Sequence, residues 1–487
     1  MLSDKKASVL LLLSAGLSLG IYICAGCLTY RIGFPLDDAW IHQTYARNLA
    51  LRGEWAFIPG SLSGGSTAPL WTFLLAPGYY LPGAPYLWTY VLGWLLLAGM
   101  AYSGYRYFRL LRPDGSQALA MTAGLMLVFE WHLVWAAASG METLLFSLVV
   151  LFLLIYLSGE RRSWMLVGLL IGTSAWIRPD GITLALPAML ALTLAPVGLR
   201  QKVGGFCLLV AGLALTTGAY VWFNWQVGGS WFPNTFYAKQ TEYAIERSMP
   251  LLIRLAEQAA LPLIGVGVCL LPGFMFFCGR LILRRSWVYL IAPAWAVGYL
   301  CLYALRLPVT YQHGRYVIPM MPVYFLWGFT GLIQLINVRS PRMLSRVLSR
   351  AWFIATSLVL VAFWLLGARA YGRDVALIES EMVDTARWLA QNTEAEAVIA
   401  AHDIGAIGYF GERKLLDLAG LVSPEVIPFL RDEDQLAEYL DQKGATYLVT
   451  FPGWYPRLTL QATPVYQTNG KFSPELGGEN MVVYKWR

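Results

Sequence analysis

Charge is scarce in this chain. Asp, Glu, Lys and Arg make up 13% of its 487 residues, against about 25% in soluble domains. Histidine occurs four times, and none of the six cysteines lies beyond Cys301. All six (Cys24, Cys27, Cys207, Cys269, Cys278, Cys301) fall in apolar runs, which excludes a disulfide framework and a readable zinc site. Cys24 and Cys27 have C-x-x-C spacing, but in an apolar helix that spacing is i,i+3 packing. Gly405, Gly408 and Gly411 match neither a P-loop nor a dinucleotide fingerprint, so no nucleotide is expected.

Long apolar runs fill the space that charge leaves. Hydrophobic residues reach 57% and the mean hydropathy is +0.54, the mark of a polytopic α-helical membrane protein. Residues 1–370 hold 26 Lys and Arg against 12 Asp and Glu, whereas residues 371–487 hold 10 against 17. A basic membrane body is therefore followed by an acidic α/β domain, and the net charge of +7 implies no nucleic-acid partner.

Basic clusters punctuate the apolar runs at Lys5-Lys6, Arg109/Arg112, Arg161-Arg162, Arg200/Lys202, Arg280/Arg284/Arg285 and Arg339/Arg342/Arg346/Arg350. Read as cytoplasmic turns, they place the N-terminus inside, with an uncleaved first helix at about 7–29. About eleven spans follow: 7–29, 86–108, 117–138, 143–158, 163–177, 182–197, 203–223, 258–279, 286–305, 317–337 and 351–370. An odd number puts the C-terminal domain outside, and membrane lipids are among the expected partners. Residues 30–85 become one long outer loop with interfacial helices at Ile41–Leu51 and Pro69–Leu81.

Polar chemistry gathers on that outer side. Asp37 and Asp38 stand together at the start of the loop helix, where adjacent carboxylates are costly unless solvated, paired or used. The stretches FPLDDAWIHQTYARNLA (34–50), PGSLSGGSTAPLWT (59–72), SGMET (139–143), IRPDG (177–181), WFPNTFYAK (231–239), HGRY (313–316), HDIGAIGYFG (402–411) and LLDLAGLVSPE (415–425) resemble the GT-C superfamily of bacterial integral-membrane glycosyltransferases. Within it, they look most like the mycobacterial-type terminal arabinofuranosyltransferases. The resemblance runs along nearly the whole chain, and no motif in it specifies a sugar.

The resemblance implies a GT-C fold, a polyprenyl-phosphate sugar donor, and transfer to a hydroxyl of a glycan, lipid or protein acceptor at the outer face. It also implies a general base from the first outer loop, with Asp37 as primary base and Asp38 as helper. The chemistry agrees: an alcohol attacks poorly until its proton is removed, and with a phosphate leaving group one base suffices for an inverting displacement. The competing reading of the pair is a helix N-cap with a solvated neighbour.

Lys239, Arg315 and His313 are candidates for neutralising the departing phosphate, against interfacial snorkelling. Tyr237, Tyr316 and Asn234 complete the donor-side candidates; the alternatives are an aromatic belt for the tyrosines and a helix cap for Asn234. Glu142, Arg178 and His42 are candidate contacts to sugar or acceptor, and Glu142 alternatively pairs with Arg178. Asp180 reads as a turn residue, and His402-Asp403 as a turn or packing pair. Neither cofactor nor metal is expected, although a paired Asp can ligate a divalent cation as in oligosaccharyltransferase-like GT-C enzymes. A lipid-sugar flippase is the rival class; it calls for internal repeats and midplane charges, and the sequence displays neither.

Overall fold

A computed structural model describes residues 4–159, 162–336 and 341–487. Arg161 and Arg339 of the basic clusters lie outside them. Seven helices among the described residues are long and apolar enough to cross a membrane: Asp4–Thr29, Tyr86–Leu111, Leu199–Gly228, Val266–Leu283, Trp287–Arg306, Tyr311–Leu335 and the one beginning at Met343. Gln117–Phe129 and Trp131–Ala138 make an eighth if taken as one span bent by 54°. The bend has a local cause. Glu130 leaves helical geometry (φ −75°, ψ 118°) and its side chain accepts the Leu133 N–H, capping the second half. Three shorter apolar helices follow (Thr143–Ser158, Trp164–Ile177, Pro179–Thr193), and a count of eleven requires each of them to cross as well.

Glycines set how closely these helices pack. A Cβ on Gly168 would lie 2.1 Å from the Leu209 carbonyl oxygen, and one on Gly212 2.4 Å from that of Met165, so the Trp164–Ile177 and Leu199–Gly228 backbones meet directly. Glycines also mark the helix that leads into the C-terminal segment. The helix Met343–Ile378 runs unbroken through 370/371, because Gly367 and Gly372 are contact points against Tyr22 and Thr29 of the first helix rather than breaks. The span expected at 258–279 also divides: an amphipathic helix, Leu251–Ala260, is separated from Val266–Leu283 by Pro262 and by Gly265 at φ 90°.

The first loop folds onto the body. Its helix spans Asp37–Arg52 and ends where Gly53, at φ 71°, donates to the Asn48 and Leu49 carbonyls. The helical turn Pro69–Leu75 and the 3-10 turn Ala76–Tyr80 pack beneath it. The helices expected in the interface at 41–51 and 69–81 are packed instead: ten side chains of Asp37–Arg52 are buried, Trp40 against Tyr409 and Phe410 of the C-terminal domain, Gln43 against Thr89 of the membrane body, and His42 and Asn48 against the loop itself.

That domain is α/β. Its five-stranded sheet has the order Lys414–Asp417, Val398–Ala401, Tyr447–Thr450, Val482–Lys485, Thr463–Gln467. The first three strands are parallel and the last two join antiparallel, with Ile399 set between Leu415 and Tyr447. Thr463–Gln467 escapes a sequence reading because it contains Pro464 and lies at an edge, where proline is tolerated. Leu418, Leu436, Leu440, Leu448 and Leu458 form the core under the helix Glu433–Lys443. Arg31 locks the domain's entry to the loop, with Nε 2.6 Å from Glu379 and Nη2 2.6 Å from Asp384.

Candidate active site

Asp37 and Asp38 occupy the first turn of their helix, after Leu36 in extended geometry, so neither is the cap residue. Successive helical side chains diverge by about 100°, and the two carboxylates reach different partners. Asp37 turns to the C-terminal domain: it accepts the backbone N–H of Gly405 at 2.7 Å and of Ala406 at 2.8 Å. Gly405 must be glycine here, since a Cβ would lie 2.0 Å from the Asp37 carbonyl oxygen.

Asp38 turns to the membrane body. Its Oδ2 accepts from Arg315 Nη2 at 2.5 Å and faces Lys239 Nζ at 3.5 Å. Lys239 also donates to the Tyr316 hydroxyl at 3.1 Å. The two acids are driven apart electrostatically. Burial raises the Asp37 carboxyl, and Asp403 raises it further, against the lowering effect of the two N–H donors. Burial opposes ionisation of Asp38 too, but the Lys239 and Arg315 cations outweigh it and hold that carboxyl well below the usual range.

Asp38, Lys239, Arg315 and Tyr316 line a cavity of about 410 Å³ together with His42, Glu142 and Arg178. Tyr316 stands between two groups of charges, its ring centroid 5.0 Å from the Arg315 guanidinium carbon and 5.4 Å from that of Arg178. On the Arg178 side, Glu142 is 3.8 Å from Arg178 and 3.6 Å from His42 Nε2. Glu142 Oε2 and Arg315 Nη1 are both buried with no hydrogen-bond partner in the protein. Buried polar atoms of this kind call for a ligand or an ordered water. Burial holds the His42 imidazole below its ordinary range despite the nearby acids, which favours the neutral ring.

Seven of the eleven candidates thus converge on one cavity: Asp38, His42, Glu142, Arg178, Lys239, Arg315 and Tyr316. Four do not reach it. Asp37 is taken by the 405–406 backbone, so the carboxylate facing the cavity is Asp38, not the first of the pair. Asn234 donates to the Leu421 carbonyl at 3.2 Å and ties its helix, Asn234–Glu242, to the C-terminal domain. His313 pairs with Asp374 at 2.7 Å, and Tyr237 lies outside the lining beside Phe236.

Other participants were hidden in the sequence. Asp180, read as a turn residue, holds Arg178 at 3.2 Å and accepts the Tyr303 hydroxyl at 2.7 Å, with Tyr299 as a second donor. Tyr299, Tyr303 and Arg306 look in sequence like the apolar helix and its basic end; only their i,i+4 and i,i+3 spacing on one face was available as a signal. His402 reaches Glu242 at 3.4 Å, joining the domain to the helix that carries Lys239. Among the described residues no group of three or more His, Cys, Asp or Glu is arranged to hold a metal ion.

Solved structures share this architecture. ArnT from Cupriavidus metallidurans superposes in its apo state with a TM-score of 0.61 at 15% identity, covering 97% of both chains. Its undecaprenyl phosphate complex gives 0.60 at 16%. The oligosaccharyltransferase AglB from Archaeoglobus fulgidus, in complex with an inhibitory peptide and a dolichol-phosphate, gives 0.56 at 12%, covering 91% of this chain and 69% of its own. The chain has the GT-C fold. A GT-C membrane body with a small C-terminal sheet domain accounts for the multi-pass helices and for the loop helix covered from above. Residues 373–484 match a family model described as a domain of unknown function, DUF8728. No curated protein matches the sequence.

Proposed function

We propose that this protein is a glycosyltransferase that moves a sugar from a polyprenyl-phosphate donor to an acceptor hydroxyl at the outer face of the membrane. The observation that carries the reading is the cavity's cationic side: Lys239 and the buried Arg315, whose Nη1 has no partner, flank an ionised carboxylate. Undecaprenyl phosphate in the ArnT structure and dolichol-phosphate in the AglB structure support a lipid phosphate as the ligand of this fold.

Asp38 is the general base of this proposal and Asp37 is not, because only Asp38 faces the cavity. A carboxylate paired with two cations is a poor base. The donor phosphate competes for Lys239 and Arg315, and as they turn to it the basicity of Asp38 rises. In-line displacement sets the acceptor oxygen and the leaving phosphate on opposite faces of the anomeric carbon. The sugar must therefore separate Asp38 from the Lys239 and Arg315 cations that pair with it. Asp38 takes the hydroxyl proton, the new C–O bond forms with inversion, and the phosphate departs with the bonding pair onto the Lys239–Arg315 clamp. Glu142, His42 and Arg178 bind the hydroxyls of sugar or acceptor.

The reaction so written needs no metal. The proposal puts the C-terminal domain outside, and the alternation of basic clusters supports that side. The experiment is release of polyprenyl phosphate by purified protein, with a panel of polyprenyl-phosphate pentoses and hexoses and candidate acceptors. Turnover with one sugar class supports the reading; absence of release and of sugar transfer across the panel overturns it.

A further inference from the structure

Gln312, His313 and Gly314 follow one another at φ 54°, 56° and 65°, directly before Arg315 and Tyr316 of the cavity. Left-handed backbone is free to glycine but disfavoured for Gln and His. Two such residues in succession persist only where the surroundings over-determine them.

The surroundings do so through His313. Its Nε2–H donates to Asp374 Oδ2 at 2.7 Å, and the same oxygen accepts the Trp135 indole N–H at 2.9 Å. The Trp131 and Trp135 rings meet the imidazole edge to face, at 5.2 and 5.1 Å between centroids. Asp374 rides on the helix Met343–Ile378 and both tryptophans on or at the start of Trp131–Ala138, so two independent elements grip one side chain. The turn closes back on itself: the Arg315 N–H donates to the Gln312 carbonyl at 3.2 Å and the Val317 N–H to that of Gly314 at 2.9 Å. His313 does not line the cavity, so its contacts act on the backbone that aims Arg315, not on a ligand.

We infer that His313 and Asp374 are positioning residues for phosphate recognition: their pair fixes the left-handed turn and thereby directs the Arg315 guanidinium into the cavity. This rests on the reading of Arg315 as a phosphate ligand. A guanidinium on a long flexible side chain loses rotamer freedom on binding, and a fixed backbone origin limits that loss before the ligand arrives. Asn tolerates left-handed geometry but is too short to reach Asp374, so His313→Asn removes the grip while leaving the turn accessible.

The test is a double-mutant cycle on polyprenyl phosphate binding by the full chain in lipid nanodiscs, with thermal stability measured in parallel. His313→Asn and Asp374→Ala should each weaken binding roughly tenfold, the scale of one charge-assisted contact, with the acceptor KM unchanged. In an Arg315→Ala background neither should weaken binding further, which a general loss of fold would not reproduce. Additive losses, or unchanged binding in both single variants, overturn the positioning role while the phosphate reading stands. Failure of the wild-type protein to bind polyprenyl phosphate overturns the phosphate reading itself, and the positioning role with it.

Discussion

Asp38 and Arg315 lie 277 positions apart and meet at 2.5 Å, the arginine 5% exposed. The guanidinium is enclosed and its Nη1 has no protein partner, whereas the Asp38 side chain is 29% exposed, so on the proposed reading Arg315 is the member of the pair with a buried donor left for a charged ligand.

The first expectation concerns the two acids. Asp38→Asn should lower turnover by about 10²-fold or more, the usual contribution of a general base, while donor binding survives. Asp37→Asn should cost less in the chemical step and more in the grip of the C-terminal domain. Rates of sugar transfer alongside limited proteolysis distinguish the two, and equal catalytic losses with unchanged proteolysis would refute the division of labour.

Glu142 offers a direct challenge to that assignment. Glu142→Gln should raise the KM for sugar or acceptor and leave kcat largely intact. If instead kcat fell as far as in Asp38→Asn with donor binding preserved, Glu142 would be the base.

Loss of one cation should be read in binding. Lys239→Ala or Arg315→Ala removes a charge-assisted contact of about 1.5 to 3 kcal/mol, roughly tenfold or more in affinity. Arg315→Lys should recover part of it, because the charge remains but the bidentate fork is lost. Titration with polyprenyl phosphate checks both.

The interface between loop and domain should respond to pH. Burial raises both Asp37 and Asp403 above their ordinary values; Asp403 raises Asp37 further, while Asp38 and Glu242 raise Asp403, so the folded state holds a proton that the unfolded chain releases earlier. Their contribution to stability is complete below the ordinary carboxylate range and is lost as pH rises through the elevated one. Asp403→Asn removes the repulsion, lowers the Asp37 value and should flatten the fall of Tm toward alkaline pH. An unchanged slope would place the pH sensitivity elsewhere.

Topology is open to a chemical probe. In a cysteine-free background, Asp434→Cys should react with a membrane-impermeant thiol reagent on intact cells and Arg200→Cys should not. The reverse pattern would invert the orientation and remove the cavity from the outer face.

The sequence by itself determined the class of molecule. Apolar runs of membrane length, the basic clusters between them and the acidic α/β tail follow from composition and periodicity, which act locally and can be read locally. It also marked the polar segments that make the cavity, because an Asp, Arg or Glu beside an apolar run is conspicuous wherever it points. Direction was decided only by tertiary structure. Asp37 and Asp38 are chemically identical neighbours, and nothing in the string says that one meets the 405–406 backbone and the other Arg315. Nor does it say that His313 grips Asp374 while Arg315, two residues on, faces the cavity. Those roles depend on helix rotation and on contacts between residues hundreds of positions apart, which local pattern does not encode.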